Sequence, residues 1–249
     1  LKIMQKTALI TGTTSGFGYA FSVRLAKLGY KLIITGRRED KLKNLAERIS
    51  TEFKTEVLPL CFDVRDNDAC KNAINNLPEN FKNIDLLVNN AGLAAGAAPF
   101  DQSLLEDFDR MIDTNVKGLL YITKLVVPGM IERKQGHIIN ISSIAGIEVY
   151  PNGSVYCASK HAVNAITKGL RTDLVKHGIR IGSISPGMVE TEFSIVRYHG
   201  DEELAKNVYK GIVPLNAEDI ADALEFMVTR PPHVSINDIQ INPAQQANT

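Results

Sequence analysis

The feature that most constrains this chain is a short apolar run, KTALIT at residues 6–11, that breaks into the glycine turn Gly12-Thr13-Thr14-Ser15-Gly16-Phe17-Gly18 and then into a helical pattern over residues 19–28. Strand, glycine turn and helix in that order bring backbone N–H groups and a helix N-terminus to one point. There the macrodipole favours a pyrophosphate, and a Cβ would block its approach. The spacing is GxxxGxG rather than GxGxxG, and an ordinary tight strand-to-helix turn has the same outline. The rest of the chain separates the two readings. Apolar runs recur at residues 31–35, 56–62, 84–88, 137–141, 179–184 and 235–241, and helical patterns fall between them, the longest from residue 104 to about residue 130. Alternating strands and helices predict one α/β domain over residues 1–249. Its sheet should be parallel and doubly wound, with ligands at the carboxyl ends of the strands.

Composition narrows the partners. A formal net charge of +0 provides no field toward nucleic acid or an anionic membrane, which leaves a small-molecule substrate. Cys61, Cys70 and Cys157 are odd in number and scattered, without metal-ligand spacing. That suits a reducing, cytoplasmic setting and no metal centre. The start, LKIMQKTALI, shows no long apolar leader with a cleavage site, and no stretch is long enough to cross a bilayer, so a soluble protein is expected.

Chemistry gathers at particular strand ends. At the end of the second strand, where a dinucleotide fold usually carries an acid for the ribose 2′-OH, stand Gly36, Arg37 and Arg38. Arginine's planar fork suits a 2′-phosphate and therefore NADP. Asp63, followed by Val64, can accept from an adenine amino group. Asn89-Asn90-Ala91-Gly92 leaves room for a cofactor, and residues 93–100 rim the site. Asn115 sits inside the long helical pattern, where an isolated asparagine usually faces solvent. Ser143 ends a buried strand thirteen residues before Tyr156. Tyr156 and Lys160 are i,i+4, hence on one helix face. A free tyrosine has a pKa of about 10; a neighbouring cation lowers it and makes the phenol a usable acid and base. Ser143 can then hydrogen-bond the reacting oxygen. Cys157, turned about 100° around the helix, reads as packing. Such a pair alone is common by chance. Residues 192–215 read as an irregular, polar substrate lid.

Together, Thr11-Gly12-xxx-Gly16-x-Gly18, Asp63, Asn89-Asn90-Ala91-Gly92, Asn115, Ser143, Tyr156-xxx-Lys160 and Pro186-Gly187 resemble the short-chain dehydrogenase/reductase family over essentially the whole chain. More narrowly, ITGRRE, NIDLLVNNAGLA, MIDTNVKGLLYIT, PGMIER with GHIINI, LRTDL and TEFSIVRYHGD look like the NADP-dependent 3-hydroxy acid dehydrogenases. Those enzymes oxidise L-serine, L-allo-threonine and related acids. The resemblance implies strand order 3-2-1-4-5-6-7 and a homotetramer built through the long helices. It also implies hydride transfer between the nicotinamide C4 and an alcohol or carbonyl carbon. Asn115 would hold a water against Lys160, and Thr191 would contact the nicotinamide carboxamide. Thr14, Ser15, Phe17, Val64, Pro186, Gly187 and Val189 would complete the cofactor cleft.

For a 3-hydroxy acid such as L-serine, 3-hydroxybutyrate or 3-hydroxypropionate, the carboxylate needs a cation, and the lid offers Arg197. Asp201 or Glu202 could instead pair with Arg197 and merely stiffen the lid. The alternatives to a 3-hydroxy acid enzyme are a broad NADPH-dependent carbonyl reductase, a 3-oxoacyl reductase acting on a carrier-bound thioester, or an NADP-binding regulatory protein without turnover.

Overall fold

Apolar runs of four to eight residues, most of them buried on both faces, form one seven-stranded parallel sheet in the order β3-β2-β1-β4-β5-β6-β7. The computed structural model describes residues 5–247. Residues 1–4, on which the reading of the chain's start partly rests, lie outside the described residues. In chain order the elements are β1 (Thr7–Ile10), α1 (Gly16–Lys27), β2 (Lys31–Gly36), α2 (Glu39–Phe53), β3 (Val57–Cys61), α3 (Asn67–Asn75), β4 (Ile84–Asn89) and α4 (Leu105–Ile112). They continue with α5 (Leu119–Arg133), β5 (Gly136–Ile141), α6 (Ser154–Leu174), β6 (Ile179–Pro186), α7 (Glu192–Arg197), α8 (Glu202–Asn207), α9 (Ala217–Val228) and β7 (Asp238–Ile241). The expected strand order holds, with helices on both faces of the sheet.

The period-2 alternation of the strands divides the core between two faces. Ala8, Ile10, Leu32, Ile34, Leu86 and Val88 pack with Phe21 and Leu25 of α1, Leu42 and Leu45 of α2, and Leu224 of α9. Their neighbours Leu9, Ile33, Leu87 and Ile138 face the other way, onto Ile122, Val126 and Met130 of α5. Each fully buried side chain of this size contributes about 1.5–3 kcal/mol. The sheet order reverses between β1 and β4, so their carboxyl ends open a crevice.

Two expectations change. The helix read from residue 104 to about 130 is interrupted by a π-helical turn, Asp113–Gly118. There the Asn115 carboxamide is drawn inward, accepting from Leu93 N and donating to Leu93 O, both at 2.8 Å. A one-turn π bulge of this kind alters the intrahelical bonding and re-aims side chains. The segment read as irregular holds the short helices α7 and α8, each started by a side-chain cap. Thr191 Oγ1 accepts from Phe193 N, and Asp201 Oδ1 accepts from Glu203 N and Leu204 N. Among the described residues no helix is long and apolar enough to cross a membrane.

Candidate active site

At the β1/β4 crevice the glycine turn is tied to the facing loop. Asn90 Nδ2 donates to Thr11 O at 2.8 Å and to Gly12 O at 3.0 Å, while Thr11 Oγ1 accepts from Asn90 N and Ala91 N. Gly12 takes φ +72°, and a Cβ there would stand 2.9 Å from Ala91 Cα; a Cβ on Gly18 would run into the Gly12 carbonyl. Helix α1 starts without a side-chain cap and without an acid in its first turn. Its N–H groups are therefore free for an anion. The crevice deepens into a cavity of about 650 Å³, lined by the sequence-predicted residues except Gly18 and Asn115, which stand just behind its wall. Asn89 also lies behind it, donating to Thr123 Oγ1 and Asn140 Oδ1 at 2.9 Å each and so holding β4, β5 and α5 together.

At one end of the cavity, a Cβ on Gly36 would come within 2.8 Å of Thr14 Cγ2, so a side chain there would have to push the Thr14 methyl aside. Arg38 donates through Nε to Thr14 Oγ1 at 3.0 Å and through Nη1 to Glu192 Oε2 at 2.9 Å. Arg37 is more exposed and stands 3.7 Å from Asp63. Burial pushes the Asp63 carboxyl up, but bonds from Arg65 and the charges of Arg65 and Arg37 hold it below the usual carboxylate range. Part of its acceptor capacity is thus already used by Arg65. Two arginines, a threonine hydroxyl and an open helix N-terminus suit a phosphorylated dinucleotide, and β2 itself ends in Gly36 rather than in an acid that would accept from a ribose 2′-OH.

Ser143, Tyr156 and Lys160 meet at the other end, beyond the carboxyl end of β5. Ser143 has extended backbone and caps a short turn, its Oγ accepting from Ala145 N at 3.1 Å and donating to Pro186 O at 3.4 Å. Lys160 Nζ donates to Ile141 O at 3.0 Å and lies 5.8 Å from the Tyr156 ring centre. Burial lowers Lys160 to about 8. For Tyr156 the expected direction is reversed. Burial pushes the phenol above its ordinary value and Tyr150 adds to this, against the pull of the Ser143 hydroxyl and the Arg197 charge. Desolvation wins because Lys160 spends its hydrogen bond on the Ile141 carbonyl rather than on the phenol.

Asn115 is buried rather than solvent-facing, and its Nδ2 also donates to Ser159 Oγ at 3.0 Å. Gly92 separates it from the lysine: a Cβ there would stand 3.2 Å from Asn115 Oδ1 and 3.4 Å from Lys160 Nζ.

Arg197, on the last turn of α7, donates to the Tyr150 hydroxyl at 3.2 Å, with its guanidinium 5.3 Å from that ring's centre. Its Nε is buried without a hydrogen-bond partner. The alternative pairing with Asp201 or Glu202 is not formed, since Asp201 caps α8 instead. Four contributors escaped the sequence reading: Tyr150, Phe193 (edge-on to Tyr156 at 5.7 Å), Glu192 and Gln246, whose Oε1 accepts from Met188 N at 2.8 Å. Tyr150 stood six residues before Tyr156, in the same glycine-containing stretch. Gln246 carried no signal, because only the fold brings it to β6.

This sheet order, with serine, tyrosine and lysine at the mouth of the β1/β4 crevice, defines a dinucleotide-dependent oxidoreductase architecture. The chain belongs to the short chain dehydrogenase family, whose pattern matches residues 6–201. It is 44% identical over 244 residues to the serine 3-dehydrogenase of Rhizobium radiobacter, covering 98% of this chain and 96% of that one. It is likewise 44% identical over 245 residues to sulfoacetaldehyde reductase 2 of Chromohalobacter salexigens, covering 98% and 96%. Among solved structures, the closed form of serine dehydrogenase complexed with NADP+ superposes with a TM-score of 0.92 at 43% identity, covering 97% of this chain and 96% of that one.

Proposed function

We propose that this protein is an NADP-dependent oxidoreductase that interconverts the 3-hydroxyl and 3-keto forms of a small 3-hydroxy acid such as L-serine, L-allo-threonine, 3-hydroxybutyrate or 3-hydroxypropionate. The observation that carries the substrate class is Arg197. This cation, with a buried and unpartnered Nε, lines the same cavity as Ser143 and Tyr156 and has a hydroxyl rather than a carboxylate as its neighbour. A carboxylate supplied by the substrate completes its bonding in two-pronged form. The relatives named for serine and sulfoacetaldehyde also carry names for substrates bearing an anionic group.

Ser143 holds the reacting oxygen, and Tyr156 takes its proton in oxidation or returns it in reduction. Lys160 supplies positive charge beside the phenol, and Asn115 with the Lys160 ammonium holds the water that carries the proton outward. Bound NADP supplies the hydride acceptor or donor at its nicotinamide. Gly12, Thr14, Ser15, Gly16, Phe17 and Gly18 form the pyrophosphate turn. Arg37 and Arg38 take the 2′-phosphate, and Thr191 the carboxamide. Residues 192–215 form the substrate lid. The homotetramer implied by the resemblance finds support in Phe100, Leu104 and Leu105, which are 68%, 60% and 76% exposed at the start of α4 and in the turn just before it.

An initial-rate screen tests the reading, with NADP⁺ against L-serine, 3-hydroxypropionate, 3-hydroxybutyrate, a 2-hydroxyalkyl sulfonate and a neutral secondary alcohol. Preference for the carboxylates is the expected result. Comparable turnover of the neutral alcohol makes the protein a broad carbonyl reductase, and preference for the sulfonate moves the substrate class to sulfonates.

A further inference from the structure

Glu192, the first residue of α7, reaches across the crevice to the start of α2, and its carboxylate accepts from Arg38 Nη1 at 2.9 Å and from Lys41 Nζ at 3.3 Å. Arg38 is fixed in turn on the glycine turn, its Nε and Nη2 donating to Thr14 Oγ1 and Thr14 O at 3.0 and 3.1 Å. Two cations at the start of α2 thus converge on one anion that lies 154 and 151 positions further along the chain from Arg38 and Lys41 respectively. Burial pushes the Glu192 carboxyl up, but the bonds from Arg38 and Lys41 outweigh it and hold the group below its usual range, so it is ionised at neutral pH. Arg38 is one of the two arginines assigned to a phosphate on the adenosine ribose, and Lys41 is a second charge on the same carboxylate. A phosphomonoester carries about −1.5 to −2 where the carboxylate carries one charge, so it competes for them effectively.

We propose that Glu192 is a lid-borne competitor for the cofactor's 2′-phosphate: its carboxylate occupies the Arg38–Lys41 site until that phosphate displaces it, and the displacement releases the first turn of α7. NAD, which has a free 2′-hydroxyl, leaves the carboxylate in place. Helix α7 is six residues long and ends at Arg197, so one short element joins the phosphate site to the cation assigned to the substrate. Glu192 therefore acts as a positioning residue that couples cofactor choice to the lid. The inference rests on NADP as the cofactor and not on the identity of the substrate.

The test uses the full chain without substrate, titrated calorimetrically with adenosine 2′,5′-bisphosphate and with adenosine 5′-monophosphate, as wild type and as Glu192→Gln. Both partners of the Arg38–Glu192 pair are more than a third exposed, so the competing interaction is modest. Glu192→Gln should tighten the bisphosphate about two- to fivefold and leave the monophosphate unchanged. In wild type the bisphosphate alone should speed amide hydrogen exchange over residues 192–198, whereas in Glu192→Gln that exchange should already be fast. Unchanged bisphosphate affinity overturns the proposal, as does equal tightening of both fragments. Weakened affinity also overturns it and makes Glu192 a clasp over the bound nucleotide. Neither fragment carries the nicotinamide end or a substrate group, so each of these failures leaves the reading of Arg197 intact.

Discussion

Lys160 and Tyr156 stand with the ammonium 5.8 Å from the phenol ring centre and no hydrogen bond between them, because the lysine donates to the Ile141 carbonyl. The lysine therefore influences the tyrosine through its field. That field fades as the pH passes about 8, the value to which burial lowers Lys160. Burial makes the phenol resist ionising, so a cationic group brought close to it favours the reactive form.

Tyr156→Phe removes the hydroxyl that moves the proton and leaves the ring packed against Phe193. The turnover number should fall at least roughly 100-fold, with the dissociation constant for NADP nearly unchanged. Stopped-flow turnover and a cofactor titration measure the two quantities separately. Near wild-type turnover in this variant would remove Tyr156 from the chemistry.

Arg197→Ala distinguishes a carboxylate clamp from a lid brace. The backbone contact in which Gly96 N donates to Arg197 O at 2.9 Å survives the substitution, so the local chain path keeps that support. Loss of one charge-assisted pairing worth about 1.5–3 kcal/mol corresponds to roughly a 10- to 150-fold fall in kcat/KM for L-serine or 3-hydroxybutyrate. A neutral secondary alcohol should be spared. Parallel losses on both substrate types would assign Arg197 to bracing and leave the carboxylate without an identified partner.

Replacing Arg37 and Arg38 together by alanine should weaken NADP by about 10- to 150-fold, on the same scale for charged hydrogen bonds, and change NAD far less. The ratio of kcat/KM values for the two cofactors is the measurement. An unmutated enzyme that used both equally would contradict the assignment.

His137, on β5, has a buried Nε2 without a partner, and burial together with the charges of Arg180 and Lys6 lowers its pKa to about 3. Below pH 6.5 the unfolded chain accepts a proton that the folded chain refuses, so stability falls as the pH drops from 6.5 toward 3. Between about pH 7 and pH 4.5 this group should contribute a loss of about 2–3 kcal/mol. Urea unfolding at the two pH values should show a smaller difference in His137→Leu than in wild type. An identical pH slope in the two proteins would show that His137 does not titrate in this way.

The alternation of apolar runs and helical patterns determined the sheet and its two-layer covering, because strands buried on both faces and amphipathic helices have few ways to close over one another. The glycine turn, the pairing of Tyr156 with Lys160 one helical turn apart, and the run of Gly36, Arg37 and Arg38 at the strand end where an acid usually stands were local features, so sequence sufficed to single them out. Helices α7 and α8 were legible in principle, since Thr191 and Asp201 carry cap signals, but the polar segment around them obscured a short period.

Other properties belonged to the tertiary structure alone. The π turn at Asn115 depends on the Leu93 backbone, which lies 22 residues away in sequence. The protonation balance of Tyr156 depends on how much water the assembled walls exclude, and proximity to a lysine in sequence says nothing about that desolvation. Arg38 and Glu192 likewise meet only because the sheet brings the ends of β2 and β6 to the same crevice. Sequence singled out Arg38, whereas its partner Glu192 was decided by long-range packing, since a salt bridge across a fold is set by three-dimensional distance and burial.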